Sequence, residues 1–161
     1  MIERVLPARL HRALMPLAHL MRHYWRCWRK PPIAGVSVII ANSEGEILLL
    51  RHSYGPPVWG LPGGGLKEGE DPAQCARREV LEEVGIALGQ LTLVSHFAEV
   101  ISGAPHTAHV FAARSDAEPR PDMREVIAAR FFPPDRLPEE LGPTMRRRIA
   151  AWRDAAAMNP V

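Results

Sequence analysis

Three carboxylates fall within five residues of the stretch ARREVLEEVG, Ala76 to Gly85: Glu79, Glu82 and Glu83, with Arg77 and Arg78 beside them. On a helix with Glu79 as reference, Glu82 lies about 60° to one side and Glu83 about 40° to the other, so all three share a face. Ala73, Ala76, Val80, Leu81 and Val84 take the opposite arc, the face that packs on a sheet. Arg77 falls inside that arc and has to reach outward along its stem. Like charges one turn apart repel, by roughly 3 kcal/mol per pair at about 6 Å and an effective dielectric near ~20. A solvated face relieves most of that cost, and a Glu-rich helix face is most often solvated surface. If the face is recessed, a divalent cation relieves it better. Carboxylate oxygens suit Mg²⁺, a hard ion that shares its shell with substrate phosphates. A carboxylate left outside that shell can act as general base on a water. Arg78 sits beside Glu82 and could hold a carboxylate by a forked hydrogen bond.

The segment just upstream, LPGGGLKEGE, favours the recessed arrangement. Consecutive glycines let backbone approach a ligand closely and free its polar groups for contact. A glycine loop feeding directly into an acidic helix is a coherent metal and phosphate site.

The elements that must position these residues can be read from pattern. IAGVSVIIA, residues 33–41, is a buried strand. Asn42 to Gly45 is a turn, and residues 47–51 form a second strand, so the pair reads as a hairpin. Residues 54–65 are loop. Asp71 caps a helix with Pro72 at its first position, and Gly85 ends it. Residues 91–102 and 106–114 read as strands around a Gly103–Pro105 turn, 115–124 as polar loop, and 125–132 as a further strand. Residues 144–158 read as a closing helix capped by Thr144. Strands and helices mixed in one small unit predict an α/β sandwich, a mixed sheet between helices.

Length and composition agree. The chain has 161 residues, 47% hydrophobic and 24% charged, enough for one domain with a core. No apolar run is long enough to span a membrane. The two cysteines, Cys27 and Cys75, form no metal or redox motif, and Cys75 reads as a packed thiol. A reducing, cytoplasmic setting fits. Residues 1–32 read as a basic amphipathic helical arm before a domain at 33–158. Residues 1–30 hold seven basic residues and one acid, Glu3, against thirteen and seventeen in the remainder. The pI of 8.8 therefore belongs to the arm, and no nucleic-acid partner is expected of the core. Leu10, Leu14, Leu17, Met21, Tyr24 and Trp28 give the arm a stripe at helical spacing. Pro16 interrupts it. Docking on the chain's own core or on a second subunit in a homodimer is favoured over contact with an anionic membrane surface.

Gly64, Glu70, Arg78, Glu79, Glu82, Glu83 and Gly85, with Val80 and Ile86 at aliphatic positions, resemble the complete Nudix box. Seven such coincidences are on the order of 10⁻⁷ per starting position at average composition. Trp59-Gly-Leu-Pro62 and ARFFPPDRLP at 129–138 extend the similarity to the flanks. The resemblance implies a Mg²⁺- or Mn²⁺-dependent hydrolase that cleaves a pyrophosphate linkage in a nucleoside diphosphate joined to another moiety. It implies Glu82 and Glu83 as metal ligands, Glu79 as ligand or base, and the Gly63 carbonyl as a further ligand. It also implies that Arg78 orients the glutamates and that Glu70 pairs with Arg78. Relatives often add an acid from a later loop, here Glu125. A second acid that many carry three residues on is replaced by Ala128, which leaves the fourth ligand and the base open.

The resemblance implies a nucleotide-like substrate. Arg51 and His52 are candidate phosphate contacts, and Tyr54 and Trp59 candidate base-stacking groups, though ordinary loop packing explains each as well. A non-catalytic nucleotide sensor is the rival class, but such a protein commonly loses a box carboxylate and this chain has lost none. Among enzymes, hydrolysis of an ADP-sugar or dinucleotide polyphosphate competes with pyrophosphohydrolysis of a nucleoside triphosphate.

Overall fold

The structure is a computed structural model that describes residues 33–101 and 103–158; the expected arm, residues 1–32, lies outside them. Six strands and two helices follow in order: β1 (Ile33–Ala41), β2 (Ile47–His52), β3 (Trp59–Gly60), α1 (Pro72–Val84), β4 (Thr92–Ile101), β5 (Ala104–Arg114), β6 (Val126–Phe132) and α2 (Pro143–Met158). The strands hydrogen-bond in the order β3-β2-β1-β5-β4, with β6 on β2.

One helix lies on each face of the sheet, so strands are buried on both sides and read as continuous apolar runs. Val36, Val38 and Ile40 of β1, with Leu48 and Leu50 of β2, pack toward Ala76, Val80 and Val84 of α1. The alternate residues Ile39, Ile47 and Leu49 pack toward Ile149 of α2. The period of two along each strand divides one sheet between two cores. The α/β sandwich predicted from the sequence is the observed fold.

The predicted β1–β2 hairpin is present only at its tip. The two strands pair at Ala41 and Ile47 and then part. β1 runs parallel to β5 over Ile33–Ala41, while β2 turns to pair with β6 and β3. The other edge of β1 is taken by the glycine loop. Val36 N–H donates to the Gly64 carbonyl and Val38 N–H to the Pro62 carbonyl, both at 2.8 Å, and Leu66 N–H donates to the Ala34 carbonyl at 3.0 Å. Backbone donors must be satisfied somewhere. Here they go to the loop, and β2 is displaced.

α1 begins and ends as its sequence dictates. Asp71 Oδ1 accepts from Ala73 N–H and Gln74 N–H, each at 3.0 Å. Gly85 closes the helix in the left-handed region at φ 69°. Arg77 does leave the apolar arc: its guanidinium reaches out to the Gly89 carbonyl at 2.9 Å. Leu81, expected on the packed face, is 55% exposed, because the sheet contact is carried by Cys75, Ala76, Val80 and Val84. α2 starts one residue earlier than expected, at Pro143, and the Gly142 carbonyl rather than a Thr144 cap receives the first N–H groups, from Met145 and Arg146. Among the described residues no helix is long and apolar enough to cross a membrane.

Asp71→Ala should cost about 1 kcal/mol by removing two N-cap bonds. Urea denaturation read by far-UV circular dichroism checks this; an unchanged midpoint would mean that the cap carries no stability.

Candidate active site

The glycine loop is pinned from two directions. Its outer bonds fix it to β1, and Gly63 N–H turns the other way and donates to Glu83 Oε2 at 2.9 Å. Two of its glycines are required by space. Gly63 has φ 144°, and a Cβ there would lie 2.2 Å from the Val36 carbonyl oxygen. At Gly64 a Cβ would lie 2.5–2.6 Å from the carboxyl carbon and oxygens of Glu79. The loop thus lies directly on two of the three glutamates. The Pro62 and Gly64 carbonyls are used by β1, and the Gly63 carbonyl is outside that ladder.

Arg78 organises the same face. Its Nε and Nη2 grip Glu70 in a bidentate pair at 2.7 and 2.8 Å. Nη1 donates to Glu79 Oε1 at 2.6 Å and reaches Glu82 Oε2 at 3.4 Å. The Arg78 guanidinium holds the Glu70 carboxyl down at about 2, helped by Lys67 N–H. The pair therefore persists at all but strongly acid pH. Cys75 is buried behind it as a packed thiol, and burial pushes its pKa up to about 12.

The three glutamates sit in different surroundings. The Glu82 side chain is 60% exposed. Burial raises the Glu79 pKa above its ordinary value against the pull of Arg78. Glu83, 6% exposed, is raised well above the ordinary range: burial is the main cause, the Gly63 N–H offsets part of it, and the charges of Glu79, Glu125 and Asp122 add to it. The site thus holds more buried negative charge than its protein partners neutralise. Among the described residues no three His, Cys, Asp or Glu side chains are already drawn together as a metal cage. The donors present are all hard oxygens, and their uncompensated charge fits a divalent cation that brings its own waters.

Glu125 comes to this cluster from the far side. The loop carrying it is tied to the C-terminal end of α1, with Arg120 N–H donating to the Val84 carbonyl at 2.8 Å and Asp122 N–H to the Glu83 carbonyl at 3.1 Å. Asp122 then accepts from the N–H groups of Arg124, Glu125 and Val126. This folds the loop tightly around Met123, which takes φ 58°. Sequence reasoning missed Asp122. The signal available was an Asp followed by backbone donors two to four residues on, the pattern of an Asx turn.

The candidate substrate residues divide. His52 Nε2 stands 3.9 Å from Glu83 Oε1, and burial lowers its pKa, which favours the neutral imidazole. Tyr54 lies beside it, ring centroids 5.2 Å apart, and its hydroxyl donates to Glu125 Oε2 at 3.3 Å. Both therefore border the glutamates. Arg51 and Trp59 do not. Arg51 donates to the Pro57 carbonyl, and its guanidinium lies 5.7 Å from the Trp59 ring centroid. Trp59 is 7% exposed in the core on the α2 side, edge-on to Phe132. Arg130 also lies against its ring, so the indole has no open face on which a base could stack.

Known proteins agree with this geometry. A MutT NUDIX hydrolase from Burkholderia pseudomallei superposes with a TM-score of 0.68 at 31% identity, over 75% of this chain and 98% of that one. The MutT protein of Methanosarcina mazei Go1 gives 0.68 at 27% identity, over 79% and 97%. By sequence, an RNA pyrophosphohydrolase of Rhodospirillum rubrum is 39% identical over 51 residues, 32% of this chain. Nudix hydrolase 26, chloroplastic, of Arabidopsis thaliana is 33% identical over 97 residues, 60% of this chain. These matched segments span only 31% and 37% of those two relatives' own lengths. The NUDIX domain family itself matches residues 31–152, which takes in every described strand, all of α1 and the first part of α2, and the chain belongs to that family.

Proposed function

We propose that this chain is a pyrophosphohydrolase that needs a divalent metal and cleaves a phosphoanhydride in a nucleotide-like substrate. The observation that carries the reading is the under-neutralised pair of half-buried Glu79 and buried Glu83 beneath the glycine loop. Relatives named RNA pyrophosphohydrolase and MutT support the reaction class.

Glu79, Glu82, Glu83 and the Gly63 carbonyl are the donors that would hold the metal, Mg²⁺ or Mn²⁺. Once bound, it would neutralise the phosphate oxygens and lower the pKa of attacking water. Gly63 N–H fixes the Glu83 carboxylate, and Arg78 fixes Glu79 by one arm while Glu70 fixes Arg78 by the other two. This prepaid geometry is what in-line attack at phosphorus requires. Glu79, whose pKa is raised, and Glu125, brought in by the Asp122 turn, are the two candidates to take the proton from water. A panel of nucleoside triphosphates, dinucleoside polyphosphates, ADP-sugars and 5′-triphosphorylated oligonucleotides, assayed with Mg²⁺ and with products identified, tests the reading. Turnover of none, or turnover indifferent to chelator, would end it.

Glu83→Gln separates the chemistry from the fold because it should move two readouts in opposite directions. A raised folded-state pKa means that the folded chain holds the proton more tightly than the unfolded chain. The Glu83 penalty is therefore absent below the ordinary value of 4.5, grows as pH rises from there toward the folded value, and is complete above it. At pH 7 in chelator, Glu83→Gln should melt higher than wild type and flatten the pH dependence of the melting temperature. With Mg²⁺ it should lose most of its turnover. Lower metal-free stability, or wild-type turnover at saturating Mg²⁺, would remove Glu83 from the metal site.

Arg78→Lys keeps the charge but loses the planar fork that serves Glu70 and Glu79 together. We expect kcat to fall about 10- to 100-fold, with a smaller change in KM. Steady-state kinetics at fixed Mg²⁺ decides this, and an unchanged kcat would reduce Arg78 to a structural ion pair.

A further inference from the structure

A second charged cluster, of opposite sign, lies across the glycine loop from the glutamates. Residues 63–65 form one wall of a cavity of about 930 Å³, whose floor is the α2-side face of β1 and β5 and whose far wall is β4 and the first turns of α2. That is a volume suited to a small-molecule ligand. No Phe, Tyr or Trp lines it, so it is not built to stack a base. Lys67, Glu68 and Glu70 line it on the loop side, and the wall opposite the loop carries Ser37, Glu99, His106, Arg147 and Arg148.

In this wall one carboxylate serves two guanidinium groups. Arg148 Nη1 donates to Ser37 Oγ and Nη2 to Glu99 Oε2, both at 2.7 Å. Arg147 Nη2 donates to Glu99 Oε1 at 2.5 Å. His106 Nδ1 stands 3.6 Å from Glu99 Oε2. Even with a neutral imidazole the cluster keeps one unbalanced positive charge. Arg148 is 6% exposed and is occupied in tying α2 to the sheet. Arg147 has a side chain 54% exposed, and among the described residues Glu99 alone accepts a hydrogen bond from it. Its guanidinium is steadied over the Phe97 ring at 4.8 Å from the centroid. Thr144 and Met145, in the first turn of α2, also line the cavity, so the positive end of the helix dipole faces the same space.

We propose that this cavity is an anion subsite, in which Arg147 binds a phosphate of the substrate distinct from the phosphoanhydride that is cleaved. The proposal rests on the pyrophosphohydrolase reading and narrows it to substrates that carry a further phosphate beyond the scissile group. Such a substrate would lie across the glycine loop, where three residues without side chains separate the acidic cluster from the basic one. A pre-positioned, only partly hydrated guanidinium is suited to a phosphate oxygen.

Two measurements on the full chain test it, after thermal melts establish that Arg147→Gln and Arg147→Lys fold as wild type does. In the first, calorimetric titration without divalent metal compares a nucleoside 3′,5′-bisphosphate with the corresponding 5′-monophosphate. The bisphosphate should bind about tenfold more tightly. Arg147→Gln should abolish that difference, and Arg147→Lys should keep part of it. Equal binding by wild type, or a difference that survives Arg147→Gln, overturns the subsite. In the second, kcat/KM with Mg²⁺ is compared for a 5′-triphosphorylated dinucleotide, a dinucleoside tetraphosphate and a nucleoside triphosphate. Arg147→Gln should lower the preference for one or both longer substrates about tenfold, through KM. The longer substrate that suffers identifies the source of the phosphate as a phosphodiester or a polyphosphate chain, and an unmoved preference counts against the proposal. If wild type cleaves none of the three, the pyrophosphohydrolase reading fails, while the titration still judges the anion subsite.

Discussion

The hydrogen bond from Gly63 N–H to the buried Glu83 carboxylate joins the parts on which this site depends. It links a loop to a helix twenty residues further along the chain. It also satisfies one oxygen of a group that would otherwise be buried with little compensation. For the bond to form, the loop has to lie flat on β1, and this in turn requires β1 and β2 to part after their turn. The departure of β2 toward β6 can be read as the structural cost of seating the glycines. The apolar core beside it, with Val36, Val38, Val80 and Val84, is what makes a charge at Glu83 costly, and the Gly63 N–H offsets part of that cost.

The two faces of the sheet use charge differently. On the α1 side acids outnumber their partners, and Arg78 distributes what compensation there is among Glu70, Glu79 and Glu82. On the α2 side one acid, Glu99, is shared by two arginines. The glycine backbone is the boundary between them. A side chain at Gly64 would strike Glu79 and one at Gly63 would strike Val36; glycines leave the two clusters facing one another across a single thickness of main chain.

Much of this was legible in the sequence, for physical reasons that can be named. α1 was legible because an N-cap Asp, a Pro at its first position and a terminal Gly are local signals that need no tertiary partner. The shared face of Glu79, Glu82 and Glu83 followed from helical geometry. The arrangement of the strands did not follow, because β1 chose between β2 and the glycine loop by competition among backbone donors, which leaves no mark on side-chain patterning. Trp59 reads as part of a loop and a candidate stacking group because the two-residue strand β3 is too short to show a period. Its burial depends on Phe132 and Leu141, more than seventy residues away in sequence. The Arg147–Glu99–Arg148 cluster was invisible for the same reason: its members belong to a strand and a helix almost fifty residues apart, and each alone reads as ordinary surface charge.

The bonded loop also acts as a ruler. Residues 62–66 are held in fixed register on β1, and α1 is held at its start by Asp71. Between them Glu70 must meet Arg78, two turns into the helix, while its Oε2 also accepts from Lys67 N–H. Both ends of this segment are clamped, so its length is constrained more tightly than its composition. The side chains of Lys67 and Glu68 point to solvent and can vary. One residue added or removed there would shift Glu70 off Arg78 or draw Gly64 off Glu79. The interval between glycine and glutamate is a mechanical tolerance of the fold, and point substitution and insertion are for that reason very different events along the same few residues.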